Sequence, residues 1–126
     1  MRRILVAVDD SPPALAAADV AVDLARSERA EVRFVTVREP GRDPSPALLY
    51  VVERARSAGL EPSQSVVDGG LPFEVLLREA QTWAADLIVM GRSDKRPPGT
   101  PYVGSQTEHL LEFTPVPVLV VPHAPR

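Results

Sequence analysis

The chain contains no cysteine, which excludes disulfides, thiolate catalysis and sulfur-ligated metal centres. Its only histidines are His109 and His123, too few for a histidine-built metal site, and His123 lies in the C-terminal tail. Lys95 is the sole lysine among 14 basic residues, so any lysine that grips a phosphate must be Lys95. No apolar run approaches the ~20 residues of a membrane span. The N-terminus enters an apolar strand at once, without a secretory pattern, so the expected compartment is the cytoplasm. A net charge of -3 gives no electrostatic reason to expect nucleic acid or an anionic membrane as partner.

What remains is an ordinary globular composition, with 126 residues, 44% apolar and 25% charged. That length predicts one domain over residues 1–126, burying roughly two-thirds of its unfolded surface. The 14 prolines concentrate in loops, at 40–46 and 97–101. There they stiffen connections by lowering the entropy of the unfolded chain.

Residues 4–8 form a continuous apolar run, as in a strand buried on both faces of a parallel sheet. Ser11-Pro12-Pro13 then opens a helix, with Ser11 as N-cap and proline in the first turn. Helical spacing over 14–26 places Leu15, Ala18, Val22 and Ala25 on the inner face. Further strands are expected at 32–37, 64–67, 87–90 and 118–121, with helices at 46–57, 72–85 and 106–113. Phe73, Leu76, Leu77 and Ala80 should face inward from the helix at 72–85, and Phe34 and Trp83 should sit in the core or an interface. The polar segment 64–67 suits a sheet edge. Strict alternation of strand and helix predicts an α/β fold with a doubly wound parallel sheet. In such sheets ligands sit beyond the carboxyl ends of the strands, which nominates Asp9 and Asp10, 37–39, 68–70 and the segment from Gly91 onward.

Three stretches carry a family resemblance: Ile4-Leu5-Val6-Ala7-Val8-Asp9-Asp10-Ser11, Ala85-Asp86-Leu87-Ile88-Val89-Met90-Gly91, and Gly104-Ser105 through Pro117-Val118-Leu119-Val120-Val121-Pro122. Together the chain resembles the universal stress protein family over nearly its whole length. The resemblance implies a five-stranded sheet of order 3-2-1-4-5, a homodimer paired through the last strand (Val118, Leu119, Val120, Val121), and a pocket for ATP, with Mg, or another adenine nucleotide. The family's nucleotide motif is Gly, two residues, Gly, nine residues, then Gly followed by Ser or Thr. Gly91, Arg92, Ser93, Asp94 and, nine residues later, Gly104-Ser105 keep that spacing, but Asp94 replaces the second glycine. Glycines let backbone N–H groups approach phosphate oxygens, and a helix N-terminus adds positive dipole character. An aspartate facing the phosphates would add bulk and negative charge, offset by Arg92, Lys95, Arg96 or a bridging divalent ion. By resemblance Asp9 matches the ribose or phosphate contact and Val37 the adenine contact, with Ala7, Met90, Gln106 and Thr107 as further walls. No Walker P-loop is present.

Plainer structural readings stand beside these. Ser105 with Glu108 is a capping-box pattern that needs no ligand, although its spacing from Gly91 favours a phosphate role. Asp9 and Asp10 can simply turn the chain and help to start the next helix. Ser105 and His109 share a helix face, but no Gly-x-Ser-x-Gly elbow supports a hydrolase triad. Two functions stay open: a nucleotide-binding stress protein with slow hydrolysis at most, and a partner-binding protein of the same fold in which Asp94 has abolished nucleotide binding. A metal-dependent hydrolase or phosphotransferase using Asp9 or Asp94 ranks third.

Overall fold

The computed structural model describes residues 2–41, 43–92 and 105–122, with backbone alone at 105–107. Strands and helices alternate along it: β1 (Arg3–Ala7), α1 (Pro12–Glu28), β2 (Glu31–Arg38), α2 (Ser45–Ser57), β3 (Ser63–Asp68), α3 (Pro72–Trp83), β4 (Leu87–Gly91), α4 (Ser105–Phe113) and β5 (Val118–Val121). The strands form one parallel sheet of order β3-β2-β1-β4-β5, as the resemblance implies. Polar β3 and short β5 take the two edges. Every expected element is present, with its ends within two residues of expectation.

Register explains how one sheet serves two cores. Val6 lies opposite Phe34 and Val89, while its neighbour Leu5 lies opposite Arg33 and Ile88. Because side chains alternate across a strand, these rows point to opposite faces. Ile4, Val6, Phe34 and Val89 pack with Ala17, Ala21, Val22, Val51 and Ala55 of α1 and α2. Leu5, Val35, Ile88 and Met90 pack with Val75, Leu76 and Ala80 of α3 and Leu110 of α4. Fully burying a side chain such as Leu5 or Ile88 contributes about 1.5–3 kcal/mol.

Two helix faces point as expected but differ in which residues are fully covered. The buried stripe of α1 is Ala14, Ala17, Ala18, Ala21, Val22 and Ala25, and Leu15 sits at its margin. Alanines let the helix axis approach the sheet closely, and the bulkier Leu15 packs against the edge of the same core while partly buried. On α3 the buried residues are Val75, Leu76 and Ala80, whereas Phe73 and Leu77 are only partly covered. The helix also stops at Trp83, because Ala84 adopts a left-handed conformation with φ 57°. Trp83 itself is half-buried beside two guanidinium groups, Arg3 at 5.5 Å and Arg33 at 5.7 Å from its ring centre. No helix among the described residues is long and apolar enough to cross a membrane.

Candidate functional site

At the carboxyl ends of β1 and β2 a small open cleft of about 80 Å³ is lined by Asp9, Asp10, Thr36, Val37, Glu39, Asp43, Pro44 and Ala47. Its walls are the turn after β1, the last residues of β2 and the first turn of α2. Local hydrogen bonds fix each wall. The Val8 N–H donates to the Val35 carbonyl at 2.8 Å, extending the β1–β2 pairing to the cleft's edge. The Asp9 carboxylate accepts the Ser11 N–H at 2.7 Å, and the Ser11 hydroxyl oxygen accepts the Ala14 N–H at 3.3 Å. Asp9 thus shapes the turn and Ser11 caps α1, as the simpler reading anticipates.

The opposite wall is built similarly. Asp43 accepts the Ser45 N–H at 3.0 Å where α2 begins. That backbone donor, with the Ser45 hydroxyl, holds the Asp43 carboxyl below the usual carboxylate range, so it is ionised at neutral pH. Arg38, at the end of β2, is bonded to Asp68 at 2.8 Å. The floor holds Thr36, only 5% exposed.

Of the sequence-predicted residues, the cleft brings together Asp9, Asp10, Val37 and Glu39. Ala7 and Met90 lie in the apolar layer beneath α3 and α4. Gly91 closes β4 opposite Val121, and the Arg92 N–H donates to the Val121 carbonyl at 2.9 Å. Gly91 has a structural reason to be glycine: a Cβ there would collide with the Pro13 carbonyl group and lie 2.6 Å from the Ala14 nitrogen. Ser93, Asp94, Lys95, Arg96 and Gly104 lie outside the described residues, as do the side chains of Ser105, Gln106 and Thr107, so the capping box lies there too. His109, on α4, stacks on Phe73 of α3 with ring centres 4.9 Å apart.

Thr36, Asp43, Pro44 and Ala47 were not singled out by the sequence. Thr36 sits within an apolar strand and reads as a β-former. Asp43 precedes a helix, the one signal that marks it. No group of three or more His, Asp or Glu side chains among the described residues is arranged to hold a metal ion. At the other end of the sheet, Arg2, Arg3, Arg29, Glu31, Ala84 and Asp86 border a broader depression. It lies at the amino ends of the strands, away from the ligand position of open α/β sheets.

Comparison with known proteins agrees with this architecture. The model of the universal stress protein family matches residues 1–122. A universal stress protein from Thermus aquaticus is 32% identical over 134 residues, covering 95% of this chain and 98% of its own. A solved universal stress protein in complex with cAMP superposes with a TM-score of 0.82 at 24% identity, covering 98% of each chain. One from Archaeoglobus fulgidus in complex with dAMP gives a TM-score of 0.75 at 24% identity, covering 96% of this chain and 98% of its own. At that identity the two structures speak for the fold alone. The family match and the Thermus relative carry the further step: the chain belongs to the universal stress protein family.

Proposed function

We propose that this chain is a nucleotide-binding stress protein whose cleft takes an adenine nucleotide, with binding rather than turnover as its role. The carrying observation is the cleft's placement at the carboxyl ends of β1 and β2, where Asp9 and Val37 meet. Those are the two residues that the family resemblance assigns to ribose and adenine. The ligands of the two solved relatives, cAMP and dAMP, are adenine nucleotides and support the same class. In this reading Gly91, Gly104 and the start of α4 lie on the phosphate side, with Ala7, Met90, Arg92, Ser105, Gln106 and Thr107 around them. The protein acts in the cytoplasm as a homodimer joined along β5. Calorimetry on protein stripped of co-purified nucleotide tests the reading. Saturable heat with adenine nucleotides and none with guanine nucleotides is expected; no heat and no thermal shift at millimolar ligand ends it.

A second reading keeps the fold and dimer but gives up the nucleotide. Asp94, in place of a motif glycine, is the observation that favours it. The same titration decides between the two.

A further inference from the structure

The placement of α4 depends on few contacts. It runs nine residues, Ser105–Phe113, and isolated helices shorter than about 12–15 residues are marginal in water. Tertiary contacts therefore decide where it lies. Among its described side chains only Leu110 is fully buried, while Glu108, His109, Leu111, Glu112 and Phe113 are exposed. One buried leucine fixes a point and leaves rotation about it open. A second contact is aromatic: the His109 ring lies on the Phe73 ring, with centres 4.9 Å apart and planes 20° from parallel.

The place of this stack in the fold gives it a bearing on the site. Phe73 stands in the first turn of α3, which follows the carboxyl end of β3. His109 lies four residues beyond Ser105 and shares a face with it. At about 1.5 Å per residue the separation along the axis is roughly 6 Å. The stack thus joins α3 to α4 one turn behind the start of α4. Histidine is the side chain whose charge ordinarily changes between about pH 5 and 8. A protonated ring binds an aromatic face more strongly, and it brings positive charge towards an anion at the helix start. The charged residues nearest in the chain to either ring are Glu108 and Glu112 on α4 and Glu74 and Arg78 on α3. Carboxylates and guanidinium groups do not ordinarily change charge in that range. The strands that pack with Leu110, β4 and β5, carry no charged residue.

We propose that the His109–Phe73 stack sets the orientation of the first turn of α4, and that the imidazole's charge ties phosphate affinity to pH. The inference rests on the adenine-nucleotide reading, in which the start of α4 lies on the phosphate side. It adds to that reading a positioning residue and a pH dependence.

The test is calorimetry of the full chain with cAMP and adenosine at about pH 5.5 and about pH 8. As a phosphodiester cAMP keeps one negative charge across this range, and adenosine carries none, so neither ligand titrates. One charge about a helical turn away should make cAMP bind about threefold tighter at the lower pH and leave adenosine unchanged. Added salt should shrink the difference. Reciprocity then requires saturating cAMP to raise the midpoint of the His109 NMR titration by about half a pH unit, the same factor. His109→Gln should bind cAMP equally at both pH values. Phe73→Leu keeps an apolar contact without a ring; it should weaken cAMP about threefold at the lower pH and adenosine by less than about twofold. A merely structural pair would alter the melting temperature alone. Equal cAMP affinity at both pH values, a dependence that survives in His109→Gln, or an unmoved His109 midpoint overturns the inference and leaves the nucleotide reading standing. Adenosine binding without cAMP binding does the same. Failure of both ligands to bind overturns the inference and the nucleotide reading together.

Discussion

Gly91, the last residue of β4, lies against the carbonyl group of Pro13 in the first turn of α1, with no room for a side chain. The first glycine of the predicted phosphate motif thus has a packing role whatever the loop beyond it does. Substituting alanine forces the start of α1 away from the sheet. Overpacking of this kind costs typically 1–3 kcal/mol, so Gly91→Ala is expected to lower Tm by about 3–10 °C. Unchanged stability with lost nucleotide affinity would assign Gly91 to the ligand instead.

Asp86 fastens the starts of β1 and β4 together. Its carboxylate accepts the N–H groups of Arg2 at 2.9 Å and Arg3 at 3.0 Å, while its own N–H donates to the Arg3 carbonyl at 2.8 Å. The two backbone donors hold its carboxyl below the ordinary value of 3.8. A group whose folded value is depressed stabilises the fold fully above its unfolded value and loses that contribution as pH falls through the folded one. Asp86→Asn should therefore melt below the parent at pH 7, with the difference closing below about pH 4. A difference that persists unchanged at pH 2 would show that charge is not involved.

Much of this architecture was legible in the sequence because two-sided burial leaves runs such as Ile4 to Val8, which only a central parallel strand accommodates. Edge positions were legible for the same reason in reverse, since β3 is polar and partly exposed. The helix faces were less so. An alanine stripe carries little hydrophobic contrast, and Leu15 misdirects the eye from the residues that pack most closely. The cleft was half legible. Asp9 and Val37 follow from strand ends, but Thr36 reads there as an ordinary strand former, and Gly91's contact with Pro13 joins residues far apart in the chain.

Ala84 was illegible because nothing in its identity announces a left-handed residue. It ends α3 at φ 57°, donating its N–H to the carbonyls of Ala80 and Gln81. That conformation costs a non-glycine residue about 1–2 kcal/mol, against the extra freedom glycine gains in the unfolded chain, about 0.5–1 kcal/mol. Ala84→Gly should raise Tm by about 2–4 °C. A lower Tm would mean that the alanine methyl makes a contact worth more than the strain.

The dimer proposal places β5 at the interface, where an edge strand exposes unpaired backbone groups. Leu119 is 38% exposed on that strand, and Leu111 and Phe113 on α4 are 44% and 60% exposed. Sedimentation should show the parent as a dimer at micromolar concentration and Leu119→Arg as a folded monomer. A monomeric parent sinks the proposal.

The substitution with most to say about ligand choice is Asp94→Gly. It restores the motif's glycine and removes one negative charge from the segment between Gly91 and Gly104. If the carboxylate opposes phosphate, its loss should favour the ligand with most charge. ATP affinity is then expected to rise at least about fivefold in EDTA, with AMP affected less and adenosine least, the order that Coulomb repulsion dictates. Equal gains for all three would point to relieved bulk, because steric exclusion does not count charges. Weaker ATP binding, seen only with magnesium present, would reverse the assignment and make Asp94 a ligand of the metal–phosphate complex.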